Sequence, residues 1–110
     1  MAGWYDLNKS SNGQFFFNLK AGNGEKILTS EMYTTKDSAQ NGIASVQTNC
    51  TNADRYEKKT ASNGKFMFNL KAANHQVIGT SELYNTEGAR DNGIESVKTN
   101  GTSKTVKDNT

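Results

Sequence analysis

Few residues in this chain belong to the types that most often carry chemistry. His75 is its single histidine and Cys50 its single cysteine, and Ser30–Glu31 and Ser81–Glu82 are two identical hydroxyl–carboxylate pairs. A turn histidine without a second donor nearby reads as surface, because zinc and similar metals need several ligands. A nucleophilic cysteine needs a setting that favours the thiolate. Cys50 falls at the C-terminal end of an expected helix, where the dipole disfavours negative charge. Paired carboxylates do acid–base work only when burial or proximity separates their pKa values. The simpler expectation is that Ser-Glu closes a strand and organises the loop after it. Gly22-Asn23-Gly24 is too short for a dinucleotide fingerprint and precedes a strand, so it is a turn. We assign no catalytic residue, metal ligand or cofactor, and keep an enzyme using Ser30/Glu31 and Ser81/Glu82 as an alternative.

The elements that would position these residues must come from a sparingly apolar chain. Of 110 residues, 33% are hydrophobic, ten are glycine, and the net charge is +2. Mean hydropathy is −0.82. The core must be thin and well patterned, since conformational entropy cancels most of what burial provides at this size. Thirteen basic against eleven acidic residues, without clustering, do not make a nucleic-acid footprint. A lone cysteine excludes an internal disulfide and suits a reducing compartment. The start Met1-Ala2-Gly3-Trp4 lacks a secretory pattern, Ala2 stands where myristoylation needs glycine, and no stretch has membrane-span length. The expectation is a cytoplasmic monomer without a membrane role.

A shift of 51 residues aligns the two halves without a gap. Of the 47 pairs from Tyr5/Tyr56 to Thr51/Thr102, 25 are identical. The chain therefore reads as one domain over 1–110, built from repeats at about 3–53 and 54–110. Two copies are too few for a solenoid, and each is near the lower limit for folding alone. The economical solution is one shared core under pseudo-twofold symmetry.

Within each copy the pattern is legible. Tyr5 to Lys9 and Phe15 to Ala21 are β-prone runs joined by Ser11-Asn12-Gly13. A three-residue turn with Gly13 in the left-handed position pairs Leu7 with Phe17 and Tyr5 with Leu19, gathering the apolar side chains on one face. Gly22-Asn23-Gly24, matched by Ala73-Asn74-His75, leads to a third strand at Lys26 to Ser30 and Val77 to Ser81. Ile27 and Ile78 should face the core. From Thr35 to Asn49 the period turns helical, with Ala39, Ile43 and Val46 inward and Thr34 or Thr35 as cap. The second helix spans about Thr86 to Thr99, with Ala89, Gly93, Ile94 and Val97 inward and Asn100-Gly101 as its stop. Gly42 and Gly93 inside these helices predict close approach of helix to sheet.

The motifs Asn-Gly-x-Phe-x-Phe-x-Leu-Lys-Ala at 12 to 21 and 63 to 72, Ser-Glu-x-Tyr at 30 to 33 and 81 to 84, and Gly-Ile-x-Ser-Val at 42 to 46 and 93 to 97 carry a resemblance. Together they make the chain similar to the YegP-like family of uncharacterised bacterial proteins over essentially its whole length. The resemblance implies an α+β fold in which two tandem β-β-β-α(-β) repeats form a single antiparallel sheet. Two helices would pack on one face, with exchange of C-terminal strands near Cys50 to Asp54 and Thr102 to Asp108. It brings no activity, cofactor or catalytic residue.

Strand parity leaves a second sheet face. If Phe15, Phe17 and Leu19 point inward, then Trp4, Phe16, Lys20, Met67 and Lys71 point outward. The reading is a non-enzymatic binding or interaction module of uncharacterised role that uses this face, its partner unknown and a protein one candidate. The simpler expectation is that Trp4, Phe16 and Met67 are scattered surface apolars or are covered by the termini. Aromatics mixed with lysine on an exposed sheet also outline a single-stranded nucleic-acid platform, which is the alternative.

Overall fold

The computed structural model describes residues 3–110, so Ala2 lies outside it. Strands β1 (Trp4–Lys9), β2 (Phe15–Lys20) and β3 (Lys26–Ser30) lead into helix α1 (Lys36–Asn49). A 3₁₀ turn at Ala53–Arg55 then opens the second copy: β4 (Tyr56–Thr60), β5 (Phe66–Lys71), β6 (Val77–Thr80), α2 (Glu87–Asn100) and β7 (Val106–Asp108).

The hairpins follow one rule four times. Each turn places its third residue at positive φ: Gly13 at 83°, Gly24 at 86°, Gly64 at 82° and His75 at 69°. In each, an asparagine carbonyl accepts the backbone N–H two residues on, as Asn12 does from Gln14 at 3.1 Å and Asn74 from Gln76 at 3.1 Å. Asparagine closes such a local turn well, and glycine takes the left-handed position without steric cost. The resulting register pairs Leu7 with Phe17 and Tyr5 with Leu19, as the three-residue turn requires. Ile27 and Ile78 are both buried.

The strands form one sheet in the order β4-β5-β6-β3-β2-β1-β7. Its centre is the antiparallel junction of β3 with β6, where Thr29 pairs with Thr80 and Ser30 with Gly79. All pairings are antiparallel except β7, which runs parallel to β1. The expected strand exchange is thus one-sided. The C-terminal strand of the second copy joins the first, whereas Ala53–Arg55, near the reciprocal position, is the 3₁₀ turn feeding β4.

Both helices contribute to the same buried cluster as Tyr5, Leu7, Phe17, Leu19, Phe68 and Leu70, so they cover one face of the sheet. Thr35 and Thr86 cap them, each hydroxyl accepting a backbone N–H, from Ser38 at 3.1 Å and Ala89 at 3.0 Å. The inward stripe of α2 differs from expectation: Ala89 is only half-buried, and Arg90 is buried at the position equivalent to Ala39. Its guanidinium lies 5.6 Å from the Phe66 ring and pairs with Asp91 at 3.3 Å, so the apolar stem fills the helix–sheet seam while the charge stays compensated. Gly101 caps the helix that ends at Asn100, as expected of the stop, without taking a left-handed conformation. Its φ is −66°, and its missing side chain leaves room for Cys50, whose sulfur would stand 2.7 Å from a Cβ there.

The mid-helix glycines receive tyrosines from the Ser-Glu-x-Tyr motifs. A Cβ on Gly42 would lie 2.5 Å from the Tyr33 oxygen, and one on Gly93 would lie 2.4 Å from that of Tyr84. The other two tyrosines tie strands to helix ends. Tyr5 donates to Gly101 O and Tyr56 to Cys50 O, both at 2.6 Å. Burial is the main cause that raises both phenols above the ordinary value of 10.0, with Cys50 adding to it.

Gly93→Ala should destabilise the protein by about 1–3 kcal/mol in denaturant unfolding, because overpacking outweighs the helix-propensity gain of about 1 kcal/mol. A net stabilisation would show that Tyr84 does not fix the helix there. The raised phenols predict an alkaline limit. A raised folded pKa means that the folded state retains protons that the unfolded chain loses, so stability is complete below about pH 10 and declines as pH rises further. Tyr5→Phe should flatten that decline in unfolding free energy measured against pH, and an unchanged slope would contradict the assignment.

Candidate functional site

The serine–glutamate pairs are structural in their geometry. Ser30 Oγ accepts from Phe17 N at 2.8 Å and donates to Glu31 O at 2.8 Å. Ser81 repeats this with Phe68 N at 3.0 Å and Glu82 O at 2.8 Å. Each hydroxyl is buried and engaged in joining strands, while Glu31 and Glu82 are exposed. Cys50 is fully buried. Burial pushes its thiol pKa up against a smaller lowering by a backbone hydrogen bond. His75 occupies the exposed left-handed turn position. Among the described residues, no group of three or more His, Cys, Asp or Glu side chains could hold a metal.

The helix-free face presents a more ordered arrangement. One row of side chains crosses all seven strands: Lys107, Asp6, Asn18, Thr29, Thr80, Asn69 and Glu57 occupy successive paired positions from β7 to β4. Thr29 donates to Asn18 Oδ1 at 3.0 Å and Thr80 to Asn69 Oδ1 at 2.9 Å. Asn69 in turn donates to Glu57 at 3.3 Å. Lys20 pairs with Asp6 and Lys71 with Glu57, both at 3.0 Å, so each copy places one lysine–carboxylate pair in the same place. Hydrogen bonds from Lys71 and then Asn69 hold the Glu57 carboxyl below its ordinary value.

Trp4, Phe16, Lys20, Met67 and Lys71 all belong to this face by strand parity, but they do not form one patch. Trp4 sits opposite Lys20 in the β1–β2 register, donates to Asp6 at 3.1 Å, and carries Lys107 4.2 Å from its ring centroid. Phe16 and Met67 lie on β2 and β5, about 14 Å apart across the strands at ordinary spacing. Because β2 and β5 run in opposite directions, the two residues fall on opposite sides of the polar row. Phe16 and Met67 thus occupy equivalent, separate places related by the pseudo-twofold, while Trp4 has Arg55 as its counterpart.

Two residues of this arrangement escape strand-parity reasoning. Met32 and Leu83 are the most exposed large apolar side chains identified, at 54% and 48%. The bridge from Phe15 to Tyr33 places Met32 opposite Phe16 in register, and that from Phe66 to Tyr84 places Leu83 opposite Met67. The signal was an apolar residue at the variable position of Ser-Glu-x-Tyr in both copies.

Comparison with known proteins places this architecture. Residues 10–57 and 61–108 each match a family described as a domain of unknown function, DUF1508. The chain is 69% identical to the UPF0339 protein YegP of Escherichia coli, over all 110 residues and the full length of both proteins. It is 64% identical to a UPF0339 protein of Shewanella oneidensis, covering 98% of each. The solution NMR structure of the E. coli protein of unknown function yegP superposes with a TM-score of 0.94, covering 99% of this chain and 94% of that one. These relatives share the tandem repeat, and no activity is established for them by these comparisons. No helix among the described residues is long and apolar enough to cross a membrane. The tandem motifs, the seven-stranded sheet and full-length identity to such relatives together establish that the chain belongs to the YegP-like UPF0339 family, with two DUF1508 repeats.

Proposed function

We propose that this protein is a non-enzymatic, cytoplasmic binding module whose helix-free sheet face engages a protein partner. The carrying observation is the pair of apolar spots, Phe16 with Met32 and Met67 with Leu83, at equivalent places on either side of a continuous polar row. Exposed apolar residues scattered singly need no explanation. Here exposed Met32 and Leu83 recur at equivalent places in both copies, each opposite a half-buried Phe16 or Met67, and none of the four belongs to the buried cluster.

The lysines of this face favour a protein over a nucleic acid. Lys20 and Lys71 are neutralised by Asp6 and Glu57, and the Trp4 ring already carries Lys107. Phosphate binding needs available cations, and base stacking needs available rings. The commitment of both serine hydroxyls to backbone groups likewise supports a non-catalytic role.

The double variant Met32→Ser/Leu83→Ser should change unfolding stability by less than about 1 kcal/mol, as exposed substitutions generally do. Affinity capture from native cytoplasm should enrich a protein with the wild type and lose it with the variant. Capture of the same proteins by both would remove the reading. The wild type should show no retention on single-stranded oligonucleotide at low salt, and salt-dependent retention there would turn the assignment toward nucleic acid.

A further inference from the structure

The sheet has two edges at places related by the repeat, and among the described residues only the β1 edge carries a further strand. At the β1 edge the chain's own C-terminal segment is seated. Tyr5 N donates to Thr105 O at 2.9 Å and Asn109 N to Leu7 O at 2.8 Å. Val106 stands opposite Tyr5 and Asp108 opposite Leu7. Helix α1 holds the segment from the other side, Gln47 donating to Ser103 O at 2.9 Å and Lys36 pairing with Asp108. Lys36 keeps the Asp108 carboxyl well below the usual range.

Shifting these contacts by 51 residues replaces Tyr5 with Tyr56, Leu7 with Lys58, Gln47 with Lys98 and Lys36 with Glu87. Tyr56, Lys58, Asp91, Ile94, Glu95 and Lys98 line a groove of about 370 Å³ between β4 and α2, in which Glu95 already holds Lys98 at 3.1 Å and leaves Lys58 as the cation nearest the strand. Among the described residues, β4 pairs with β5 alone, so its outer edge has no strand on it. An open edge is a template for main-chain pairing by an added strand.

We propose that the β4–α2 groove is a peptide-binding site that takes an extended segment of a partner protein by parallel strand addition. The seated tail supplies the chemistry: an apolar residue opposite Tyr56, as Val106 is opposite Tyr5, and an acidic residue two positions later. The cation for that acid comes from the strand as Lys58, since Glu87 stands where the first copy has Lys36. Lys58 rests on Asp91 at 3.2 Å, but Asp91 also has Arg90 at 3.3 Å and stays compensated when Lys58 turns to a ligand. A second copy is the poorer occupant. Its tail would have to leave its own β1 edge, losing one parallel pairing to gain another, and intramolecular seating holds it there at high effective concentration. This site lies on the sheet edge and is independent of the helix-free face.

The probe is a synthetic peptide with the sequence of residues 102–110, titrated into the isotope-labelled full chain to millimolar concentration. Amide shifts should appear at residues 56–60 and 91–98, with those at 5–9 unmoved. The same peptide with Lys107→Pro lacks a ladder N–H and should bind about tenfold more weakly or worse. Protein carrying Lys58→Glu should lose binding to a similar extent, while Met32→Ser/Leu83→Ser should bind as wild type does. The absence of shifts along β4 would overturn the proposal. Shifts confined to the β1 edge would overturn it as well, by showing displacement of the native tail. Concentration-dependent dimerisation through β4 would overturn it by making a second copy the occupant.

Discussion

Everything in this molecule depends on a short seam, the junction of β3 with β6 that turns two marginal units into one sheet. It is formed by few residues, and its side chains are complementary where the copies differ. Leu28 in the first copy is fully buried, and its equivalent in the second is Gly79. A Cβ on Gly79 would stand 2.9 Å from Leu28 Cγ and 3.0 Å from Thr29 O. Two leucines would overfill the seam and two glycines would leave it hollow. Cys50 and Gly101 repeat the device at the helix ends, with the sulfur filling the space beside the glycine. Interiors packed to crystal-like density penalise either departure.

Seen from this seam, the repeat does two kinds of work. Where the copies agree, they specify local structure: turn asparagines, strand-closing serines, and tyrosines set against helix glycines. Several disagreements at the centre of the molecule adapt one copy to the other. Differences at the rim leave unlike edges. The first copy's edge is covered by the chain's tail, whereas the second presents Lys58 along a strand that, among the described residues, pairs with β5 alone.

Much of the fold was legible because its signals are local. Ser-Asn-Gly fixed the hairpin register, since only one turn length gathers Tyr5, Leu7, Phe17 and Leu19 on one face. A capping hydroxyl at Thr34 or Thr35 marked the start of the first helix, and Thr35 is the one that caps it. The failures have a common cause in tertiary context. Arg90 reads as an outward residue until Phe66 and Asp91 are seen around it. A C-terminal strand within 102–108 is implied by the resemblance and is present, but its parallel pairing is not announced, since Val106–Asp108 has three exposed residues and no apolar period. Gly101 marks the helix end as expected, and only the neighbouring copy shows that it also makes room for a sulfur. On the helix-free face, strand parity placed Trp4, Phe16 and Met67. It missed Met32 and Leu83, because they fall in irregular segments after the strands, and it gave no warning that the pseudo-twofold would split the patch.

The complementary seam is tested most directly by exchanging its two unlike residues and measuring denaturant unfolding of the single and double variants. Leu28→Gly should cost about 3–5 kcal/mol through the cavity it leaves. Gly79→Leu should cost about 1–3 kcal/mol through overpacking. If the leucine can fill the shared space from either copy, the double variant should recover most of that loss, with a coupling of at least about 2 kcal/mol in favour of the pair. Losses that simply add would contradict a seam built on one side chain shared between two copies.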